Sequence, residues 1–266
     1  SFTDLVNNHL FVYLAANLST HNQQAEAALA ILDRRNMEPG YMKSPVWDLE
    51  KGYILLYKGD PDASIYLERF VNKFKGKYYV KDALQKLSWI FYLKGDQQRA
   101  DYFRKQIPGK GNSESEADKQ ANEEAATNNW PNKILLRARL YSDGGYHREA
   151  LRILHGKSVN DFATAVEKLE FNYRAGRIYD DIGRDEAAIG YYRLAAEQGK
   201  NRREYFAARA ALQIGFIYEK QGNFKEAKRW FEASMAMKDH DFKNGIDQRA
   251  KAGLDRCAQE ADREIF

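Results

Sequence analysis

Small and aromatic residues follow the same order in two stretches near the carboxy terminus. The first stretch contains Gly176, Tyr179, Gly183, Ala188 and Tyr192 in that order. The second contains, at the corresponding positions, Gly215, Tyr218, Gly222, Ala227 and Phe231. Two antiparallel helices approach closely only where small residues face the partner helix. Each stretch therefore predicts a helical hairpin, and the first glycine of each is expected to face the surroundings of the alanine.

The same pattern fits six stretches of the chain, each with two small residues twelve positions apart and a turn residue between them. The first small residues are Ala16, Gly52, Ser88, Ala138, Gly176 and Gly215, and the second are Ala28, Ser64, Ala100, Ala150, Ala188 and Ala227. The turn residues are Gln23, Gly59, Gly95, Gly145, Gly183 and Gly222. Because a glycine after a helix readily adopts the left-handed conformation that ends it, these positions predict the turns of six hairpins.

The six predicted repeats cover residues 8–36, 44–75, 80–107, 131–156, 163–199 and 203–238. Between the third and the fourth lies an insertion, 108–130, which is rich in Gly, Ser and Asn at its ends and acidic in its middle. This composition predicts a solvated loop with a short surface helix at ADKQANEEAAT, although loops of this length are also found at functional sites.

The final segment, 244–263, places apolar residues from Ile246 to Cys257 at helical spacing and then becomes polar. A helix of this kind covers the last apolar face of a repeat array and exposes its other side to water. The chain is therefore predicted to be all-α, a single solenoid of helical hairpins over residues 1–266 with a capping helix at its end.

The order of small, Tyr, Gly, Ala and aromatic residues in the two carboxy-terminal stretches resembles the tetratricopeptide repeat. Longer phrases such as WPNKILLRARLYSDGGYHREAL and KNGIDQRAKAGL resemble the carboxy-terminal part of larger exported bacterial tetratricopeptide proteins. The resemblance implies a right-handed superhelical solenoid without enzymatic activity or cofactor. It also implies a scaffold that holds a peptide or protein in the concave groove lined by the first helix of each repeat. A periplasmic or cell-envelope location is implied too, while a cytoplasmic one stays open.

Composition excludes several other classes of protein. The 42 Lys and Arg residues barely outnumber the 38 Asp and Glu residues, so net charge alone does not predict binding to nucleic acid. No apolar run has the length of a membrane span, and the amino terminus lacks the pattern of a signal peptide, which favours a processed or trimmed chain. The oligomeric state stays open.

No catalytic, cofactor or metal site is predicted. The single cysteine, Cys257, excludes an internal disulfide and a multi-cysteine zinc site, and it lies in the apolar stripe of the last helix. His147 and His155 could share a helix face, but a zinc site needs three or four ligands. The glycines near Gly109 lack the spacing of a phosphate loop. The run at Asp239 lacks the alternating acidic ligands of a calcium loop.

A basic stretch is the first candidate surface. Its cations are Arg69, Lys73, Lys75, Lys77, Lys81 and Lys86, interleaved with the aromatic residues Phe70, Phe74, Tyr78 and Tyr79. Such a combination could bind an anionic partner or nucleic acid. The alternative is a basic turn between two repeats whose aromatic rings are buried.

The predicted groove of the fourth to sixth repeats is the second candidate surface. Its positions, taken from the family template, are Arg139, Asp143, Tyr173, Arg174, Arg177, Asp180, Arg209, Gln213, Phe216 and Lys220. Mixed charge with aromatic residues suits a protein partner, because Tyr and Arg often supply the strong contacts of an interface. The alternative is a solvated helix face. A different function would be an envelope accessory protein that binds carbohydrate or lipid through Tyr53, Trp89 and Tyr92.

Overall fold

The computed structural model describes residues 7–35, 44–127 and 129–263, so residue 36 of the first predicted repeat and residue 128 of the insertion lie outside it. Every regular element in these ranges is a helix, which confirms the all-α fold class. The described residues form two compact units, one ending at Tyr146 and the other beginning at His147. The boundary lies in the turn of the predicted fourth repeat.

The first unit contains eight described helices, most of them paired as hairpins. They are α1 (His9–Thr20), α2 (Ala25–Asp33), α3 (Val46–Lys58), α4 (Ala63–Lys73), α5 (Val80–Lys94), α6 (Gln97–Gln106), α7 (Glu116–Ala126) and α8 (Lys133–Asp143). α1 packs on α2, α3 on α4 and α5 on α6, and each hairpin also packs on the next. Leu67, Phe70, Leu84 and Leu87 are fully buried in the core between the second and third hairpins.

The second unit contains six α-helices and one short 3-10 helix. They are α9 (His147–Leu154), the 3-10 helix Val159–Asp161, α10 (Ala165–Asp181), α11 (Asp185–Gly199), α12 (Phe206–Lys220), α13 (Phe224–Ala236) and α14 (Lys243–Arg263). α10 pairs with α11 and α12 with α13, while α11 packs on α12. α14 packs on both helices of the last hairpin, where Ile246, Ala250 and Cys257 are buried.

All six predicted turn residues have positive φ. The angles are 59° at Gln23, 83° at Gly59, 86° at Gly95, 77° at Gly145, 72° at Gly183 and 73° at Gly222. At Gly59 and Gly95 the glycine directly follows the helix, and its N–H donates to carbonyls of the last turn. The prediction of left-handed turns is confirmed at these positions.

The glycines of the two carboxy-terminal hairpins make room for aromatic rings. A Cβ on Gly176 would lie 2.6 Å from Cδ1 of Tyr192, and one on Gly215 would lie 2.5 Å from Cδ1 of Phe231. Each ring lies one helical turn beyond the alanine that the sequence pattern paired with the glycine. A Cβ on Gly253 of α14 would also lie 2.5 Å from Cζ of Phe231, so this ring packs against glycines of two helices.

The insertion contains the predicted short helix, α7, but this helix packs within the first unit instead of lying in a solvated loop. α7 contacts α5, and Asp118 and Ala121 of α7 are fully buried. The carboxylate of Asp118 accepts hydrogen bonds from the backbone N–H groups of Tyr79 (2.6 Å) and Asp82 (3.1 Å) at the start of α5. Because the first N–H groups of a helix have no partner within it, Asp118 caps α5 from another helix.

α8 packs against α3, the first helix of the second hairpin. The turn after α8 reaches the turn after α1, where the N–H of Gln23 donates to the carbonyl of Gly144 over 3.0 Å. In the same turn, Nδ1 of His21 lies 2.6 Å from the carbonyl oxygen of Asp143. None of the helices in the described ranges is both long and apolar enough to cross a membrane.

Candidate partner-binding face

α12 is buried on every side but one over most of its length. Between Phe206 and Ile217, only Arg209, Gln213 and Phe216 are not buried, and they recur at intervals of four and three residues. This spacing places them on one face of the helix. Lys220 continues the face at the end of α12, and its side chain is 68% exposed.

α10 adds two predicted residues to this face. Arg177 is partly exposed and lies 3.7 Å from the carboxylate of Asp181. Asp180 accepts hydrogen bonds at Oδ2 from the Tyr192 hydroxyl over 3.2 Å and from Gln213 Nε2 over 3.4 Å. Burial raises the pKa of Asp180. The α10–α12 face, as we call it, therefore consists of Arg177, Asp180, Arg209, Gln213, Phe216 and Lys220.

Tyr173 and Arg174 are buried, although the sequence placed them in the groove. The ring of Tyr173 packs near Tyr192, 6.1 Å between centroids, and near Phe206, at 5.3 Å. Nε of Arg174 donates to the carboxylate of Glu170 over 3.0 Å, and its side chain is 3% exposed. Every residue from 171 to 176 of α10 is buried, so this part of the helix has no exposed face. Both side chains stabilise the unit and are not available to a partner.

A residue of α14 extends the α10–α12 face beyond the sequence prediction. Nε and Nη2 of Arg256 donate to the two carboxylate oxygens of Glu219 over 2.6 and 2.9 Å. The guanidinium carbon lies 5.9 Å from the ring centroid of Phe216. No sequence pattern pointed to Arg256, because α14 was predicted only as a capping helix.

The other two predicted groove residues, Arg139 and Asp143, belong to the first unit and are mostly covered there. The Arg139 guanidinium lies 4.8 Å from the ring centroid of Trp89. It is 3.6 Å from a carboxylate oxygen of Glu124 and 3.7 Å from one of Asp143. These contacts hold α8 against α5 and α7, so the two side chains contribute to packing within the unit.

α5 is buried on all sides from Val80 to Phe91, including its charged residues. Nζ of Lys81 donates to the carbonyl of Ile107 and to the side chain of Asn122, and burial lowers the pKa of this lysine. Lys86 pairs with Asp82 at 2.8 Å, and both side chains are 8% exposed. Polar residues on the open side of a first helix would normally face water, but here the insertion and α8 cover them.

The basic stretch is accordingly not a continuous cationic surface. Lys81 and Lys86 are buried, and Phe70 packs against Phe74 with 4.8 Å between ring centroids. Its lysines at 73, 75 and 77 are exposed, as are the rings of Tyr78 and Tyr79. The alternative, a turn whose aromatic rings are buried, therefore applies to Phe70 and in part to Phe74, which is half-buried, and not to the two tyrosines.

The aromatic residues of the carbohydrate or lipid alternative are engaged within the first unit. The Tyr53 hydroxyl donates to Asp82 over 2.5 Å, and burial raises the pKa of Tyr53 well above its ordinary value. Trp89 is 3% exposed, and Tyr92 stacks on Trp130 with 4.5 Å between ring centroids. Nothing supports a small-ligand site at these rings.

A buried carboxyl group lies between the first two hairpins. Glu50 of α3 is 3% exposed and hydrogen-bonds to the side chain of Asn17 on α1. Its Oε2 has no hydrogen-bond partner in the part of the chain that is described. Burial raises the pKa of Glu50 to about 7. No sequence pattern singles out Glu50, because it lies inside an otherwise ordinary helix.

The histidines and the cysteine form no site of their own. Among the described residues, no three His, Cys, Asp or Glu side chains converge as metal ligands would. Nδ1 of His147 lies 3.8 Å from the carboxylate of Asp181, and His155 is exposed. Cys257 is fully buried, and burial raises the pKa of its thiol, which disfavours the reactive thiolate.

Comparison with known proteins agrees with the two long hairpins of the second unit. The family model for the tetratricopeptide repeat matches residues 169–198 and 208–241, which contain α13 and most of α10, α11 and α12. No curated protein matches the chain. Tetratricopeptide repeats generally mediate protein–protein interactions and are generally non-enzymatic, and no catalytic family is indicated. The chain is thus an all-helical, tetratricopeptide-like protein whose repeat match lies in its second unit.

Proposed function

We propose that the chain is a protein-interaction scaffold that binds a segment of a partner protein on the α10–α12 face. The observation that carries the proposal is the stripe on α12. Arg209, Gln213 and Phe216 are the only residues between Phe206 and Ile217 that are not buried. A rigid helix that exposes a single mixed face offers a partner both an aromatic contact and polar contacts at small ordering cost.

The polar groups of this face are already held in place. Asp180 is fixed by Tyr192 and Gln213, and Arg256 by both oxygens of Glu219. Held side chains lose little rotamer entropy when a partner arrives. The partner chemistry that suits them is a polar segment with one apolar side chain for Phe216 and hydrogen-bonding groups for Gln213 and Arg209.

Site-specific photo-crosslinking tests the proposal. A photoreactive amino acid at Gln213 is expected to capture a defined protein, whereas the same group at Lys225, which is exposed on α13, is not. The captured protein is then purified and titrated against the double variant Arg209→Glu, Lys220→Glu. We expect its affinity to fall by about tenfold or more, since charge reversal at an interface is strongly unfavourable.

The double variant Lys225→Glu, Lys238→Glu is the matched control. It makes the same change in net charge at two exposed positions outside the face. Equal loss of affinity in both double variants would mean that net charge, and not the α10–α12 face, determines binding. Capture from Lys225 as efficient as from Gln213 would also contradict the proposal.

A further inference from the structure

A groove of about 650 Å³ lies on other helices of the second unit, between the carboxy-terminal half of α11 and α13. Its apolar lining comes from Ala196 of α11 and from Trp230, Ala233 and Met237 at the end of α13. Small residues on both helices leave the ring of Trp230 as the largest apolar group there. The groove therefore has room for a side chain or a stretch of peptide.

The charged residues of the groove are mostly cations. Arg193, Lys200 and Arg229 line it together with a single acidic residue, Glu197. Within the described part of the chain, Arg193 and Lys200 form no ion pair with a carboxylate. Arg229 lies 3.5 Å from Glu226, and its side chain is 74% exposed. The groove therefore combines an apolar lining with two cations that lack an acidic partner.

Arg193 is held in position by neighbours that do not neutralise it. Its Nη2 donates to the hydroxyl of Tyr218 on α12 over 2.8 Å. Its guanidinium carbon lies 5.7 Å from the ring centroid of Trp230. A guanidinium that is fixed but unpaired is preorganised for a carboxylate, because arginine can present two parallel N–H donors to both oxygens.

We propose that this α11–α13 groove docks an acidic, amphipathic peptide segment of a partner protein. Its carboxylates would pair with Arg193 and Lys200, and an apolar side chain would lie on Ala196, Ala233 and Trp230. A free inorganic anion would leave the apolar lining unused, and an uncharged peptide would leave the cations unpaired. Charge complementarity and the apolar lining together select a peptide that carries both kinds of group.

A labelled dodecapeptide of Glu, Asp, Leu and Ala is the probe, and its binding to the whole chain is followed by fluorescence anisotropy. The comparison peptide has Gln and Asn in place of Glu and Asp. We expect the acidic peptide to bind about tenfold more tightly, with an affinity that falls as salt is added. Equal affinity for the two peptides would overturn the proposal.

Reversing the charge of the groove's cations tests whether the acidic peptide binds in the α11–α13 groove. The variant Arg193→Glu, Lys200→Glu is expected to lose the acidic peptide and to bind instead a version with Lys in place of the acidic residues. The matched control is Lys75→Glu, Lys77→Glu, which makes the same change in net charge at exposed positions of the first unit. If the control loses the acidic peptide to the same extent, binding is non-specific and the proposal is wrong.

Filling the groove tests the apolar half of the argument. Ala233→Phe leaves every charge in place but puts a bulky ring into the groove. Ala236→Phe does the same from an exposed position, and it serves if the first variant does not fold. Both variants should abolish binding of the acidic peptide. Their thermal unfolding, followed by circular dichroism, should match that of the parent chain. Undiminished binding of the acidic peptide by a folded variant would overturn the proposal. So would a thymidine oligonucleotide that binds the same groove more tightly than the acidic peptide does.

The proposals for the two surfaces of the second unit can be tested separately. The variant Arg209→Glu, Lys220→Glu changes the α10–α12 face and is expected to bind the acidic dodecapeptide as the parent chain does. If that variant loses the peptide and the groove variants keep it, the acidic segment binds the α10–α12 face and the α11–α13 groove is excluded.

Discussion

At the scale of single residues, Glu50 makes the stability of the first unit depend on pH. Its carboxyl keeps a proton up to about pH 7 in the folded protein, whereas its ordinary pKa is 4.5. Between these values the folded state binds more protons than the unfolded state. The stability that this group contributes is therefore complete below pH 4.5 and is lost as the pH rises through 7.

Glu50→Gln is expected to remove this dependence. A neutral amide does not have to lose charge on burial, so the variant should be more stable than the parent at pH 8 by up to about 3 kcal/mol and nearly equal to it at pH 4. Urea unfolding at both pH values measures the difference. Glu186→Gln, at an exposed position of α11, is the control and should show no pH-dependent gain. A gain for Glu50→Gln that is the same at both pH values would contradict the assignment.

Gly215 is a second residue with a specific structural requirement, since its missing side chain leaves space for Phe231. An added Cβ would lie 2.5 Å from two ring carbons of a fully buried side chain. Gly215→Ala should therefore destabilise the second unit by about 1–3 kcal/mol, the usual cost of overpacking a core. Thermal unfolding followed by circular dichroism measures this.

Gly190→Ala is the matched control for that substitution. Gly190 is also inside a helix, α11, but nothing lies within 4 Å of the position of its Cβ. Because alanine favours the helix more than glycine does, this change should stabilise by up to about 1 kcal/mol. If the two substitutions shifted the melting temperature in the same direction, close contact would not be the reason for glycine at 215.

At the scale of elements, α7 is held by polar contacts. Besides Asp118, which caps α5, Glu124 accepts a hydrogen bond from Gln85 over 2.8 Å, and Asn122 accepts one from Lys81 over 3.0 Å. Only Asp118 and Ala121 of this helix are buried. The attachment of α7 therefore depends on a few hydrogen bonds. The loss of one of them should destabilise the packing of the whole helix.

Asp118→Ala is expected to destabilise the first unit by about 2–3 kcal/mol, because it leaves buried N–H groups at the start of α5 without an acceptor. Hydrogen exchange at the amides of α7 should accelerate at the same time. Glu116→Ala, a change at an exposed position two residues earlier, should do neither. Faster exchange confined to residue 118 and its neighbours would show that α7 stays bound without this cap.

The sequence predicted the hairpins and the short helix of the insertion, but it did not predict how that helix packs, for one physical reason. The hairpins carry a repeated apolar pattern with a left-handed turn, so Gly183 and Gly222 could be recognised from spacing alone. α7 has no comparable apolar period, since apart from Ala121 and Ala125 its contacts are mostly hydrogen bonds and ion pairs, which hydropathy does not reveal. For the same reason, Lys81 and Lys86 were read as surface residues, because their burial depends on a helix that lies about 40 residues away in the chain.

Only the part of the candidate site that lies on one regular helix face could be expected from the sequence. The family template placed Arg209, Gln213, Phe216 and Lys220 in the groove, and their spacing of four, three and four residues is that of one helix face on α12. The burial of Tyr173 and Arg174 does not, because adjacent positions on α10 differ in exposure only through what packs on them. Arg256 could not be assigned to the face at all, since its place beside Phe216 arises from the docking of α14.

At the scale of the whole molecule, the second unit has a core of its own. Leu169, Tyr192, Ile214 and Phe231 are fully buried within it. The turn at Gly144 and Gly145, where one unit ends and the next begins, resembles the other turns in sequence. The hydrophobic pattern therefore contains no feature that marks the boundary between the two units.

The fragment 147–266 is expected to fold by itself. Its hairpins bury their apolar faces against one another and against α14, and in a repeat array stability is approximately the sum of such neighbour contacts. The fragment should show a helical circular dichroism spectrum and a single cooperative urea transition. A fragment that begins at Asp185 is the matched control. It lacks α10, so Tyr192 loses the helix against which it packs, and we expect its transition to be broad or absent. An unfolded 147–266 fragment beside a folded full chain would mean that the core of the second unit is insufficient without the residues before it.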